Sequence, residues 1–267
     1  LVPQASVQAL FAAGLIPGLL SGISLIVAAL VFSKIYGWGA ADAEPAPPFW
    51  PSLKEAGWGL LAPVIILGGM RSGLFTPTEA AVVAVAYGLV VGVVIYGSMT
   101  LRSVWDLLAE SAEVSAVILF MVGLAALFGW AVDTVGIFNE FARWLTHTHT
   151  SETLVLLGIT LMLLIAGTAL DATATYFVFL PFLVPVAQAY NWNLVWLGII
   201  VTINVAIGQF TPPTAVNLMV TCRLAGITME STIGWCLWLV GAMTAMLLVL
   251  TFVPEIVLFV PRALGYL

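Results

Sequence analysis

The sequence predicts an all-α polytopic membrane protein, and three observations carry that prediction. Of 267 residues, 62% are hydrophobic and 7% charged, whereas a soluble domain carries about a quarter charged residues. Mean hydropathy is +1.15, and apolar runs long enough to cross a bilayer recur along the chain. Two of those runs are broken mid-segment, at Ala166–Thr175 and at Ile207–Leu218. The net charge of −6 and the lack of a basic patch exclude nucleic acid as a partner. Cys222 and Cys236 have no metal-ligand spacing, and His147 and His149 share a polar T-H-T-H-T loop. The spans hold no nucleophile–base pair and no metal cluster, so an intramembrane enzyme is the disfavoured class.

The first spanning helix is expected from about Val7 to Phe32, with Lys34, Tyr36 and Trp38 marking an interfacial end. The N-terminus lacks the basic region of a signal peptide. Leu1 is not a start methionine, so a processed, split or partial product is expected. Gly37–Gly57, rich in proline with Asp42 and Glu44, reads as a linker. Ser52-Leu-Lys-Glu55 reads as a capping box opening a helix to about Met70, short for a full crossing. Gly68–Ala80 is punctuated by glycine and proline and reads as a helix–turn–helix corner, with Thr76 or Thr78 capping a helix over about Glu79–Tyr96. Met99–Ser111 places Leu101, Val104, Trp105 and Leu108 on one face, which predicts a separate amphipathic helix in the interface plane.

Glu113–Thr146 holds an apolar limb to Trp130, then Asp133-Thr-Val-Gly-Ile137, then a short polar limb. The second limb is too short to cross an apolar core of about 30 Å. A re-entrant helical hairpin fits, its tip at Asp133, Thr134 and Gly136 buried against other helices. An ordinary span followed by an amphipathic loop helix is the alternative. Leu154–Gln188 is too long for one straight crossing and carries Asp171 deep in apolar sequence, ringed by Thr168, Thr173 and Thr175. An acidic residue there reads as functional or as the cap of the helix that follows; both hold together at a half-helix site. Leu194–Val220 contains I-G-Q-F-T-P-P-T-A-V-N-L. Two prolines cannot continue a helix, and irregular backbone in a membrane survives only inside protein or beside a wet cavity. That leaves an ion site built from freed carbonyls and hydroxyls or a kink repaired by neighbours. Ile233–Val260 reads as an unbroken final span. Two discontinuous helices after a hairpin are the signature of half a secondary transporter. Of the basic residues, Lys34, Lys54, Arg102, Arg143 and Arg223 fall on one side and Arg71 and Arg262 on the other; the absolute orientation stays open.

The chain resembles the C-terminal part of the large membrane subunit of tripartite ATP-independent periplasmic (TRAP) transporters. The motifs are A-L-F-A-A-G-L-I-P-G-L-L (Ala9–Leu20), P-V-I-I-L-G-G-M-R-S-G-L-F-T-P-T-E-A-A (Pro63–Ala81), L-F-G-W (Leu127–Trp130) and N-V-A-I-G-Q-F-T-P-P-T-A-V-N-L (Asn204–Leu218). The resemblance covers essentially the whole chain, which begins just before the last helix of the family's first repeat. It implies residues 1–36 as that helix and 58–267 as the second inverted repeat of an elevator-type carrier. It also implies sodium coupling, a carboxylate-bearing solute, a bacterial inner membrane, a small four-helix membrane subunit and a periplasmic binding protein. The rest of the large subunit, N-terminal to this chain, would complete it. Carried over, Gly167, Thr168, Asp171 and Thr173 on one break and Gly208, Thr211 and Thr214 on the other are sodium ligands. Asp171, Thr175, Pro212 and Asn217 are substrate ligands. Gln209-Phe210 departs from the small aliphatics usual in the family, which bears on substrate identity. A related carrier that works without a binding protein is the second reading.

Overall fold

The computed structural model describes residues 6–37, 48–148, 150–212 and 215–267. Eleven α-helices and one π-helical turn make up the described secondary structure, and seven helices are long and apolar enough to span a membrane. The chain is therefore an all-α multi-pass membrane protein. It divides into two compact units, Gly37–Leu119 and Leu1–Tyr36 with Phe120–Leu267.

The smaller unit centres on α2 (Phe49–Arg71) and α3 (Pro77–Val90), which pack together. Helix α2 starts at Phe49, inside the predicted linker, after Pro48 in extended geometry. The predicted Ser52–Glu55 capping box is not formed. Ser52 lies in the first turn, and its hydroxyl donates to the Pro48 carbonyl (3.1 Å). Proline at Pro51 is tolerated there because first-turn amides have no intrahelical acceptor to lose. The earlier start makes α2 23 residues long, about 34 Å at 1.5 Å per residue, so the expectation of a short helix is corrected.

Gly68–Ala80 forms the expected corner. The amides of Leu74 and Phe75 donate to the Gly69 carbonyl (3.1 and 3.3 Å), and Gly73 takes φ +72°. At Gly69 a Cβ would lie 2.3 Å from Phe75 Cδ2, so any side chain there would displace the Phe75 ring. Thr76 is the cap: its hydroxyl accepts from the Glu79 amide, and the Glu79 carboxylate accepts from the Thr76 amide at 2.8 Å. Two tyrosines tie the pair, Tyr87 to the Trp58 carbonyl and Tyr96 to the Glu55 carbonyl, both at 2.7 Å. Helix α3 ends in the π-helical turn Val91–Ile95.

Helix α4 (Leu101–Val135) is 35 residues without a break. The separate interfacial helix predicted over Met99–Ser111 is thus continuous with the following span. Leu101–Val122 contains neither glycine nor proline, so nothing in the backbone interrupts the hydrogen-bond ladder. Gly136 at φ +74° ends α4 and starts α5 (Ile137–His147). Phe138 lies 6.5 Å from Phe128. Ten residues of straight helix would separate them by about 15 Å, so the chain folds back at Gly136. Helix α5 then packs on α7 through Phe138 and Phe141, both against Phe182.

The larger unit is organised around α8 (Leu194–Gly208). Eleven of its fifteen residues are buried, and it packs against α1 (Val7–Tyr36), α6 (Glu152–Ala169), α7 (Ala172–Ala189), α10 (Met229–Phe252) and α11 (Pro254–Ala263). A helix apolar on every face is stable only when surrounded. Gly198 admits α1, whose Leu10 occupies the place of a side chain there. The last span is broken, contrary to expectation. Pro254 has no amide hydrogen to continue the ladder, so α10 stops at Phe252 and Pro254 becomes the first residue of α11.

Thr76→Ala removes the hydroxyl that accepts from the Glu79 amide, while the backbone amide of residue 76 keeps its bond to the Glu79 carboxylate. It is expected to lower stability by about 1 kcal/mol, read as a reduced thermal midpoint of the detergent-solubilised protein.

Candidate functional site

Helix α6 ends at Ala169, and Leu170 turns extended (φ −111°, ψ 148°). Its amide still reaches the Ala166 carbonyl (2.9 Å). Asp171 caps α7, accepting from the amides of Thr173 (3.0 Å) and Ala174 (3.4 Å). The cap reading therefore holds, and the Asp171 side chain is exposed on the described chain. Thr175 is fully buried, its hydroxyl donating to the Asp171 carbonyl (2.8 Å). Thr168 bonds Ile165 O at 2.8 Å.

Helix α8 ends at Gly208. The Thr211 amide donates to the Gly208 carbonyl (3.0 Å), and the Thr211 hydroxyl donates to the Ile207 carbonyl (2.9 Å). Pro212 is half-buried; Thr214 lies outside the described residues. The chain re-enters helix through Ala215, a non-glycine at φ 34°, to form α9 (Val216–Ala225). The Asn217 amide bonds the Gln209 carbonyl across the break (3.2 Å), while Asn217 itself is exposed. On the far side, the Cys236 thiol of α10 donates to the Phe210 carbonyl (3.1 Å).

The two breaks meet. A Cβ on Gly208 would lie 2.5–2.6 Å from the backbone atoms of Gly167, and one on Gly167 would lie 3.2 Å from the Gly208 Cα. Helices α6 and α8 are parallel. Trp192, just before α8, donates from Nε1 to Glu152 at the start of α6 (2.7 Å), and the same two helices meet again at Gly167 and Gly208. Both therefore point their C-terminal, electronegative ends toward the same end of the unit.

One residue of this crossing was missed in the sequence. Asn204 lies one turn before Gly208 and is fully buried. Its amide donates to the Ile200 carbonyl (3.0 Å), while its Oδ1 has no hydrogen-bond partner among the described residues. A buried acceptor left unpaired costs about 1–3 kcal/mol. The usable signal is the Asn204–Gly208 spacing, since residues four apart share a helix face. Gln209 Nε2 is likewise buried without a partner among the described residues.

Three other predicted residues lie at the turn between α4 and α5. Thr134 is exposed, with its hydroxyl on the Trp130 carbonyl (2.7 Å). The tip predicted to be buried at Asp133, Thr134 and Gly136 instead carries exposed Val135 and Ile137 on either side of the turn. Asp133 and Thr134 belong to the last turn of α4, so the glycine alone makes the reversal.

Two parallel half-helices thus end at a shared glycine contact inside an all-α membrane unit. The chain belongs to the family described as the tripartite ATP-independent periplasmic transporter, DctM component, which matches residues 1–256. It is 35% identical over 98% of its length to the C4-dicarboxylate TRAP transporter large permease protein of Pseudomonas aeruginosa. It is 36% identical over 99% to the sialic acid large permease protein of Vibrio cholerae. It is also 36% identical over 96% to the isethionate permease protein DctMQ of Oleidesulfovibrio alaskensis. The chain spans 61%, 62% and 40% of those relatives respectively.

Gly208→Ala is expected to cost about 1–3 kcal/mol through backbone overlap with Gly167, and Gly167→Ala less, since its closest contact is 3.2 Å. Thermal unfolding of the two variants should rank them in that order.

Proposed function

We propose that the chain is the C-terminal part of the large membrane subunit of a sodium-coupled TRAP importer in a bacterial inner membrane. Its solute bears an anionic head, a carboxylate in the first instance, of the C4-dicarboxylate or sialic-acid type. The relatives' names support an anion more broadly, because isethionate carries a sulfonate. A periplasmic binding protein delivers the solute, and a small membrane subunit braces the large one. The fused DctMQ relative supports that second partner. The N-terminal part of the large subunit supplies the other repeat of the elevator.

The observation that carries the reading is the Gly167–Gly208 crossing with its buried, unpartnered Asn204 Oδ1. Hard cations take oxygen ligands, and the last carbonyls of a helix have no intrahelical partner. Carbonyls at Gly167 and Gly208, with hydroxyls from Thr168, Thr173, Thr211 and Thr214, are the candidate sodium ligands. Asp171 contributes its carboxylate. The α7 N-terminus presents amides toward which a substrate carboxylate is drawn, close to Thr175. Pro212 and Asn217 form the corresponding part of the second break. The turn at Gly136, with Asp133 and Thr134, is the tip of the second hairpin, closing on the site when the full subunit assembles.

The test is uptake into proteoliposomes by the complete transporter. Asp171→Asn and Thr211→Ala are expected to reduce sodium-driven uptake to background while both proteins insert normally. Unchanged uptake by both would overturn the site assignment. Uptake that needs sodium but not the binding protein would replace the tripartite reading with an independent carrier.

A further inference from the structure

At the opposite end of α6 and α8 from the glycine crossing lies a second cavity, of about 390 Å³. Fifteen residues of α6 separate Glu152 from Gly167, about 22 Å of helix, so the two places are distinct. The cavity sits where α6 begins, α7 gives way to α8, and α10 breaks into α11; Glu152, Thr153, Tyr190, Asn191, Trp192 and Trp196 contribute to its wall.

Its chemistry is selective. Tyr190 stacks on Trp192 with ring centres 5.3 Å apart, and Trp192 meets Trp196 edge-on at 5.9 Å. Three aromatic rings thus run in series beside one carboxylate. Trp192 Nε1 holds Glu152 Oε1 at 2.7 Å, and Trp196 Nε1 is committed to the Leu250 carbonyl at 3.1 Å. Tryptophans of an ordinary interfacial belt lie open to the headgroup region. These two are 8% and 3% exposed, and their N–H groups are already bonded within the protein. The Tyr190 hydroxyl is likewise turned inward, onto the Thr150 carbonyl (3.1 Å). What remains for a ligand is the partly exposed edge of Tyr190 and the second oxygen of Glu152. Among the described residues, no Lys, Arg or His lines the cavity and Glu152 has no ion-pair partner. Asn191, which shapes the rim, takes the left-handed conformation (φ 55°) that terminates α7, its amide on the Gln188 carbonyl.

A carboxylate beside a partly exposed tyrosine ring, with no cation among the described lining residues, fits an organic ammonium and repels a phosphate. We propose that this cavity is an ammonium-binding site, and that its occupant is the amine head of a membrane phospholipid. The lipid assignment follows from position: the cavity opens at the level where three candidate spans, α6, α7 and α10, begin or end. An aminophospholipid can place its ammonium against Glu152 there, with its phosphate outside the cavity and its acyl chains along the spans. The proposal is independent of which solute the complete transporter carries.

The test uses the complete large subunit with its membrane partner, released into native mass spectrometry from nanodiscs of equal phosphatidylethanolamine and phosphatidylglycerol. The wild type is expected to retain one phosphatidylethanolamine in preference to phosphatidylglycerol. Glu152→Gln is expected to lower that retention about tenfold, the equivalent of about 1.4 kcal/mol. Thr153→Trp, which fills the exposed rim without touching the Trp192–Glu152 bond, is expected to lower it comparably, and it guards against misfolding of the first variant. Thermal midpoints report the folding of both. Competition with free ethanolamine and with tetramethylammonium separates the sources. Displacement only at concentrations far above those of the lipid supports the lipid head; tight binding of the free amine would overturn the lipid assignment. Equal retention of the two lipids by the wild type, or retention unchanged in both variants, would overturn the site itself.

Discussion

The larger unit depends on one close approach of backbone to backbone. Gly167 and Gly208 touch without side chains between them, and that contact fixes how deeply α6 can sit against α8. Because α8 is surrounded by five other helices, its position sets theirs. A side chain at Gly208 would force α6 outward, and α7, which starts three residues after α6 ends, would follow. In lipid the helices gain little from hiding apolar surface from one another, so small residues at crossings and good packing carry the association. The pair at Gly167 and Gly208 is such a crossing, placed where both helices stop.

Stopping a helix inside apolar surroundings leaves backbone groups to satisfy. Each break does this locally and with different means. At the first, Asp171 takes two α7 amides and Thr175 takes the Asp171 carbonyl. At the second, Thr211 closes the α8 end, Asn217 bridges from α9, and the Cys236 thiol reaches in from α10. The second break is therefore tied to two further helices, whereas the first is closed within its own chain segment. Asn204 is the exception to this local closure, a buried acceptor for which the described residues supply no donor.

Much of this was legible in the sequence, for physical reasons that differ from element to element. Pro212 and Pro213 announce the second break because a ring nitrogen cannot donate anywhere in a helix. Asp171 announces the first because a carboxylate in apolar sequence needs amides, and its capping role followed from the same logic. The corner at Thr76–Glu79 was legible as a capping box, and the same pattern at Ser52–Glu55 misled. A capping box specifies a start only where the preceding backbone is extended, and there Pro48 sets the start upstream. The continuity of α4 was hidden because its polar first turns mimic an interfacial helix; side-chain polarity changes along it while the backbone does not. The Gly167–Gly208 contact was out of reach, since a close approach involves two positions forty-one residues apart and no periodicity encodes it. Asn204 was hidden for the same reason: its significance lies in what fails to bond it.

Parallel packing of α6 and α8 has one more consequence. Two half-helices that end together place two partial negative charges of the backbone side by side, each about half an elementary charge. The crossing itself is built from Gly167, Gly208 and Asn204, none of which ionises. Its electric character is therefore written into the direction of the peptide chain and not into any group that protons can switch. Acidification that silences a carboxylate leaves such a pole standing; only moving one helix relative to the other can weaken it.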